Sequence, residues 1–380
     1  MQELTPRERV QLTFNHQEPD RVPFDLLGNA SLILDEAYFR LLKHLQLEGD
    51  IERYRFREGT TANYYDTRLL ELFDIDFRRI FLPKTPESNI SFRDSNTARD
   101  LWGVEWLKSG IYVNPSSHPL RDMDIDSIIT YKWPQAQELH HTEGLADHAR
   151  QLYEEADYAL VARNPLSLGF LDRGCNLRGM DQFMMDMVLN PELAQIIIDH
   201  ILKIHMEVYD MFLQAVGPYV LMIETADDLG AQNNLLISPK LYRQFIKPAQ
   251  TKMNALIKDR APQAHIFMHN DGALYDIIPD LIESGVGVLN PVQPSAKGMD
   301  SERLKQDFGD RLIFHGAVDQ PAQEGSEEDI RAEVRKRINA LAPGGGYVLS
   351  TCNHILNAPP ENVVAMFDEA RTYGRYPIGG

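Results

Sequence analysis

The sequence predicts an α/β chain folded as one (β/α)8 barrel of the TIM type, and three observations carry that prediction. Eight short apolar runs alternate with helix-like stretches along the 380 residues. Most of these runs are continuous rather than alternating, as parallel strands buried on both faces are. No Gly-x-Gly-x-x-Gly follows the first run, which ranks a doubly wound open sheet second.

The runs are Val22–Leu27, Arg79–Leu82, Ala159–Ala162, Tyr219–Ile223, His265–Met268, Val286–Leu289, Leu312–Phe314 and Tyr347–Leu349. Between them, apolar residues near a 3.6 period predict helices over Ser31–Leu47 and Pro191–Leu213. Ser238-Pro239 opens another, an N-cap residue followed by proline at the first helical position. Ala273–Ser284 stops at Gly285, Glu327–Leu341 stops before Pro343-Gly344-Gly345-Gly346, and Pro360–Tyr373 closes the series. One interval breaks the rhythm. Lys84–Pro134, with Trp102, Trp106 and Trp133 among scattered prolines, reads as an insertion after the second strand of a single domain spanning 1–380. Loops after barrel strands stand at the catalytic face, so this segment is either a lid over the site or an excursion packed on the outer helices.

Charge and cysteine content narrow the function. The chain carries 56 acidic and 38 basic residues, a formal charge of −18. Nucleic-acid backbones and anionic membranes reward clustered Lys and Arg, so neither is an expected partner. Two cysteines, Cys175 and Cys352, make no disulfide framework and suit a reducing cytosol. The opening MQELTPRERV has no apolar core of a secretory leader, and no run approaches about 18 apolar residues, so a cytoplasmic protein is expected.

In a barrel, polar residues just past the C-terminal ends of the strands point into the active-site cup. The assigned strands place there Gly28 and Asn29, Arg163 and Asn164, Glu224 with Asp227 and Asp228, and His269 with Asp271. Asn290 and Gln293, His315 and Asp319, then Cys352 and His354 complete the ring. The sharpest local signal is Phe267-Met268-His269-Asn270-Asp271-Gly272. His269 and Asp271 are two apart, so on an extended strand end they face one side. Imidazole, carboxylate and the Cys352 thiolate make a ligand set for zinc with an open position for substrate, and Glu224 can reach in. The plainer alternatives stand beside this: a histidine at a strand end is often a hydrogen-bonded core residue, and a lone cysteine a small buried hydrophobe. His354 serves equally as general acid or as a ligand in place of Asp271. Asn29, Arg163, Asn290, Gln293 and His315 are the expected substrate-binding residues. Cys175 has no partner at ligand spacing, and the Gly344–Gly346 turn precedes a strand, so neither is assigned a ligand.

A family resemblance emerges from longer motifs. They are Leu4-Thr5-Pro6-Arg7-Glu8-Arg9-Val10 with His16-x-x-Pro19-Asp20-Arg21-Val22-Pro23, Asp227-Asp228-Leu229-Gly230 with Ser238-Pro239 and Tyr242-Arg243, and His269-x-Asp271-Gly272. Ile278-Pro279-Asp280-Leu281, Leu289-Asn290-Pro291-Val292-Gln293, Phe308-Gly309-Asp310-Arg311 and Gly344-Gly345-Gly346-Tyr347 continue the series. Together they resemble the uroporphyrinogen decarboxylase superfamily over nearly the whole chain, least over 84–140. Uroporphyrinogen decarboxylases carry an arginine-rich segment after the first strand, where this chain has Asp25-Leu26-Leu27-Gly28-Asn29-Ala30. The resemblance therefore points to the corrinoid-dependent methyltransferase branch, which includes methylcobamide:coenzyme M methyltransferases and O-demethylases. The zinc enzymes of that branch use His-x-Cys and a later Cys. His269 and Cys352 match, and Asp271 departs. What the resemblance implies is methyl transfer between a small methylated substrate, such as a methoxylated aromatic, and a cobamide. No Asp-x-His-x-x-Gly signature is present, so the cobamide is expected on a separate corrinoid protein. His269, Asp271 and Cys352 would hold Zn2+, with Glu224, Asp228 and His354 assisting catalysis. A decarboxylase anchored by Arg163, Arg173 and Arg178, and a tetrapyrrole or corrinoid carrier without turnover, are the alternatives. A homodimer stays open.

Overall fold

Seven parallel strands, each hydrogen-bonded to the next one along the chain, form one curled sheet. They are β1 (Phe77–Ile80), β5 (Ala159–Ala162), β6 (Met222–Ala226), β7 (His265–His269), β8 (Val288–Asn290), β9 (Ile313–Val318) and β10 (Tyr347–Thr351). The structure is a computed structural model and describes residues 3–57, 61–90, 92 and 95–378.

One parity rule organises the sheet. Phe77, Val161, Met222, Phe267, Val288, Ile313 and Val348 pack into a single apolar cluster, joined by Val10 and Phe14 of the helix Pro6–Phe14. Successive side chains of a strand alternate between faces, so the next position on that same face lies two residues further on. Those positions are Arg79, Arg163, Glu224, His269, Asn290, His315 and Ser350. The shared face thus changes from apolar to polar towards the C-terminal strand ends. The opposite parity, with Leu160, Ile223, Ile266, Leu289, Phe314 and Leu349, belongs to the larger core shared with the helices.

The expected first strand, Val22–Leu27, is not a strand. It contributes one parallel bridge, Phe24 to Leu349. Backbone bonds nevertheless tie it on both sides: Asp25 N–H donates to Leu349 O at 3.0 Å, and Asp76 N–H to Phe24 O at 3.1 Å. Two residues keep it short. Pro23 lacks an N–H, and Leu27 turns the backbone left-handed at φ +60.

The helices Glu327–Leu341 and Pro360–Tyr373 have the expected bounds. Ser238 caps the helix opened by Pro239, as read. Ser31–Leu47 contracts to Asp35–Leu45, and Pro191–Leu213 extends to Val216. Ala273–Ser284 divides into a 3-10 turn, Tyr275–Ile277, and a helix, Ile278–Glu283. Within 84–134 a separate antiparallel sheet forms from β2 (Thr97–Arg99), β3 (Glu105–Ser109) and β4 (Tyr112–Ser117), followed by the helix Ile125–Ile129. Among the described residues no helix is long and apolar enough to cross a membrane.

Candidate functional site

Strand β7 ends at His269, and the chain turns through Asn270, Asp271 and Gly272. Gly272 has φ +86, and a Cβ there would meet the backbone of Gly230 and Ala231, so only glycine fits the turn. Neighbouring β6 leads into Asp227 and Asp228. The two ends are laced together: Asp227 N–H donates to His269 O at 3.0 Å, and Asp271 N–H to Asp228 Oδ1 at 3.1 Å. Ligand atoms of Asp228, His269 and Asp271 consequently lie within 4.8 Å of one another. His269 Nε2 stands 3.9 Å from Asp228 Oδ1 and 4.0 Å from Asp271 Oδ2, too far for direct hydrogen bonds.

On its other side, His269 Nδ1 lies 2.8 Å from Asn290 Oδ1, a carbonyl that can only accept. The Nδ1 proton is therefore fixed, and the Nε2 lone pair is turned towards the two carboxylates. Burial lowers the His269 pKa, but Asp271 and Asp228 outweigh it, with a net rise. Burial raises the Asp271 pKa, His269 opposing and Asp228 reinforcing the shift. Asp271 Oδ1 is buried without a hydrogen-bond partner. One nitrogen and two carboxylates with an unsatisfied buried oxygen fit a divalent cation, and the donor set is harder than one with thiolates.

Behind the cluster runs a buried relay. The Asn290 amide donates to His315 Nδ1 (2.9 Å), and His315 Nε2 meets Asp25 Oδ2 (2.8 Å). Asp25 binds both Nη atoms of Arg79, at 2.9 and 2.5 Å. Arg79 Nε reaches Glu224 Oε1 (2.9 Å), and Glu224 Oε2 binds Arg163 (2.7 Å), which also bonds Asn29. Arg79 crosses so close to Gly28 that any Cβ there would collide with its guanidinium. Burial opposes the Asp25 charge, but Arg79 and His315 overcome it and hold the carboxyl well below its ordinary value. Glu224 follows the same balance, with Arg163 and Arg79 as the cations.

These contacts sort the sequence candidates. His269, Asp271 and Asp228 come together. Cys352 does not join them: it is buried, and its sulfur donates to Asp319 Oδ1 at 3.4 Å. Burial and Asp319 push the thiol pKa well above its ordinary value, so it is a poor thiolate source. Glu224 and His315 are buried in the relay rather than open to the cup, and Asn290 spends both ends of its amide between the two histidines. Gln293 accepts from Gly272 N–H at 3.2 Å and so braces the turn. His354 is exposed, and its Nδ1 accepts from Leu32 N–H at 3.2 Å. Desolvation by the surrounding walls, then His269, Arg57 and Arg163, lower its pKa to about 3, which makes it a hydrogen-bond donor through Nε2 rather than a proton donor. Asp227 accepts the N–H groups of Phe170 and Leu171 at 2.9 and 3.0 Å, anchoring a helix start. Arg79 and Asp25, centre of the relay, were not singled out from sequence. The parity of Arg79 with Phe77 is the signal that marks it.

The family model described as "Uroporphyrinogen decarboxylase (URO-D)" matches residues 116–373. A curated uroporphyrinogen decarboxylase from Bordetella petrii is 36% identical over 76 residues, 19% of this chain and 21% of that protein, so the aligned stretch spans about a fifth of the relative's length. A methyltransferase from Methanosarcina mazei of known structure superposes with a TM-score of 0.62 and 16% identity, covering 98% of this chain and 99% of that one, a likeness of fold.

Proposed function

The chain belongs to the uroporphyrinogen decarboxylase family, and from that premise we propose that it is the methyltransferase component of a corrinoid-dependent system. It moves a methyl group between a small methylated substrate, a methoxylated aromatic being the leading class, and the corrinoid of a separate protein. The observation that carries the reading is the Asp228–His269–Asp271 cluster, with the His269 tautomer set by Asn290. The name of the Methanosarcina structural neighbour agrees with it. We further take the short segment at Phe24, bonded to both Leu349 and Asp76, as the eighth stave of a closed barrel, and 84–134 as its lid.

Asp228, His269 and Asp271 would hold a divalent ion, zinc for preference. When bound, the ion polarises the heteroatom that loses the methyl group, and the partner's cobamide supplies the nucleophile. The chain's own residues orient and insulate. Asn290 holds the His269 ring, and the relay behind it keeps Asn290 from rotating. Arg163 and His354 offer N–H donors to a substrate in the cup.

Incubation of zinc-loaded protein with cob(I)alamin and a panel of methyl ethers and amines tests this reading. Methylcobalamin from at least one donor, abolished in His269→Ala, is the expected result. None from any donor sinks it. A second reading, a decarboxylase, is favoured by Arg57 and Arg163 around His354, since cations there can anchor substrate carboxylates. Release of carbon dioxide from a porphyrinogen without metal dependence would select it.

A further inference from the structure

Between the loop after β5 and the antiparallel-sheet region lies a cleft of about 250 Å³ that none of the Asp228–His269–Asp271 cluster lines. One wall is the loop after β5, Pro165 to Leu168. Asn164 Oδ1 shapes it by accepting from the N–H groups of Leu166 and Ser167 at 3.0 and 3.1 Å. Ser167 sits at φ +65, a left-handed conformation strained for a residue with a Cβ. The opposite wall comes from the antiparallel-sheet region, with Leu101, Trp102 and Trp106.

Two cations, Arg173 and Lys84, and one carboxylate, Asp100, line this space between aliphatic and aromatic walls. Arg173 is only 5% exposed. Its guanidinium lies over the Trp102 ring at 4.4 Å and donates to Leu166 O at 3.1 Å, yet its Nε is buried with no partner. Asp100 approaches no nearer than 4.0 Å, and the same carboxylate oxygen already accepts from the Trp106 indole at 2.9 Å. Lys84 is exposed to the cleft, and among the described residues its ammonium has no hydrogen bond or ion pair. Desolvation by the cleft walls lowers its pKa, and so do Arg57 and Arg173, with Asp100 opposing them. Asp100 is the one carboxylate among the described lining residues, and its Oδ2 accepts from the Trp106 indole, so the two cations of the hollow are incompletely paired.

We propose that this cleft is a binding subsite for a small organic carboxylate with a flat apolar body. The Lys84 ammonium and the Arg173 guanidinium, both lining the cleft, take the carboxylate, and Leu101 and Trp106 flank the body. A planar two-oxygen anion suits an N–H donor beside an ammonium, and the apolar walls select against a bare inorganic ion. Arg173 follows Asp172, whose Oδ2 accepts from Asp228 N–H at 2.9 Å. Resting on the methyl-transfer reading, the subsite then holds the far end of the methyl donor.

Titration calorimetry of the purified protein with benzoate, benzamide and inorganic phosphate tests the subsite. Benzoate should bind at least tenfold more tightly than either of the others. Lys84→Gln should weaken benzoate at least tenfold, and Lys84→Arg should restore most of it. Benzamide or phosphate binding as tightly as benzoate, or a Lys84→Gln variant that binds benzoate like the wild type, overturns the proposal. No corrinoid takes part, so the two readings fail separately. Benzoate binding without methyl transfer to cob(I)alamin sinks only the reaction, and methyl transfer with benzoate binding indifferent to Lys84 sinks only the subsite.

Discussion

Two charge clusters stand at the C-terminal ends of the strands, and they differ in one respect. In the relay, Asp25, Arg79 and Glu224 are fully buried, and each carboxylate oxygen meets a cation or a histidine. In the His269 cluster, Asp228 and Asp271 are partly exposed, face one histidine between them and leave a buried oxygen unpaired. The residue types are nearly the same. What separates a structural cluster from a reactive one here is completeness of pairing: a satisfied network has nothing left to offer a ligand, and an unsatisfied one does.

That contrast breaks most visibly in the relay. Arg79→Met would leave buried Asp25 with His315 alone and buried Glu224 with Arg163 alone, with an expected loss of roughly 3–5 kcal/mol in urea unfolding. A loss below about 1 kcal/mol would mean that the relay is not the closed network described. Acid acts on the same groups. Asp25 has a folded pKa below its ordinary 3.8, so its contribution is fully present above that pH and fades as pH falls below it. Unfolding midpoints should therefore hold steady from neutral pH to about 5 and drop steeply below about 4, and Asp25→Asn should flatten that drop.

Asn290 joins the two clusters, and its removal sharpens the comparison. Asn290→Ala should weaken zinc binding on the order of 10–100-fold, because the His269 tautomer is no longer imposed. Unchanged zinc affinity would show that the ring needs no such support. The smallest expected effect is at Cys352. Its sulfur donates to Asp319 and is not among the ligand atoms that lie within 4.8 Å of one another, so Cys352→Ala should leave zinc stoichiometry as it was. Loss of the metal in that variant would restore the ligand set expected from sequence.

Much of the scaffold was legible because it is written locally. The Glu327–Leu341 stretch before its Pro-Gly-Gly-Gly stop and the Pro360–Tyr373 stretch have the same bounds in sequence and structure. Strand ends then placed His269, Asp271 and Asp228 on one face. The relay was not legible, because its bonds join residues far apart in the chain: Arg79 meets Glu224 across 145 positions and Asp25 meets His315 across 290. No window of sequence contains such a pair, and an arginine inside an apolar run reads as a strand edge until its partners are seen. The bond made by Cys352 was illegible for a related reason. The residue stands just past the end of β10, as expected, and the contact of its sulfur with Asp319 depends on packing that spacing does not encode. The segment at Val22 carried a true apolar signal that one proline and one left-handed residue cut short.

The most direct test is metal content. Wild-type protein, His269→Ala and Asp271→Asn, each dialysed against buffered zinc and shown by circular dichroism to be folded, are analysed for bound metal. One equivalent in the wild type and its loss in both variants is the result expected if Asp228, His269 and Asp271 form the reactive centre. A wild type without zinc, or variants that keep a full equivalent, would contradict it.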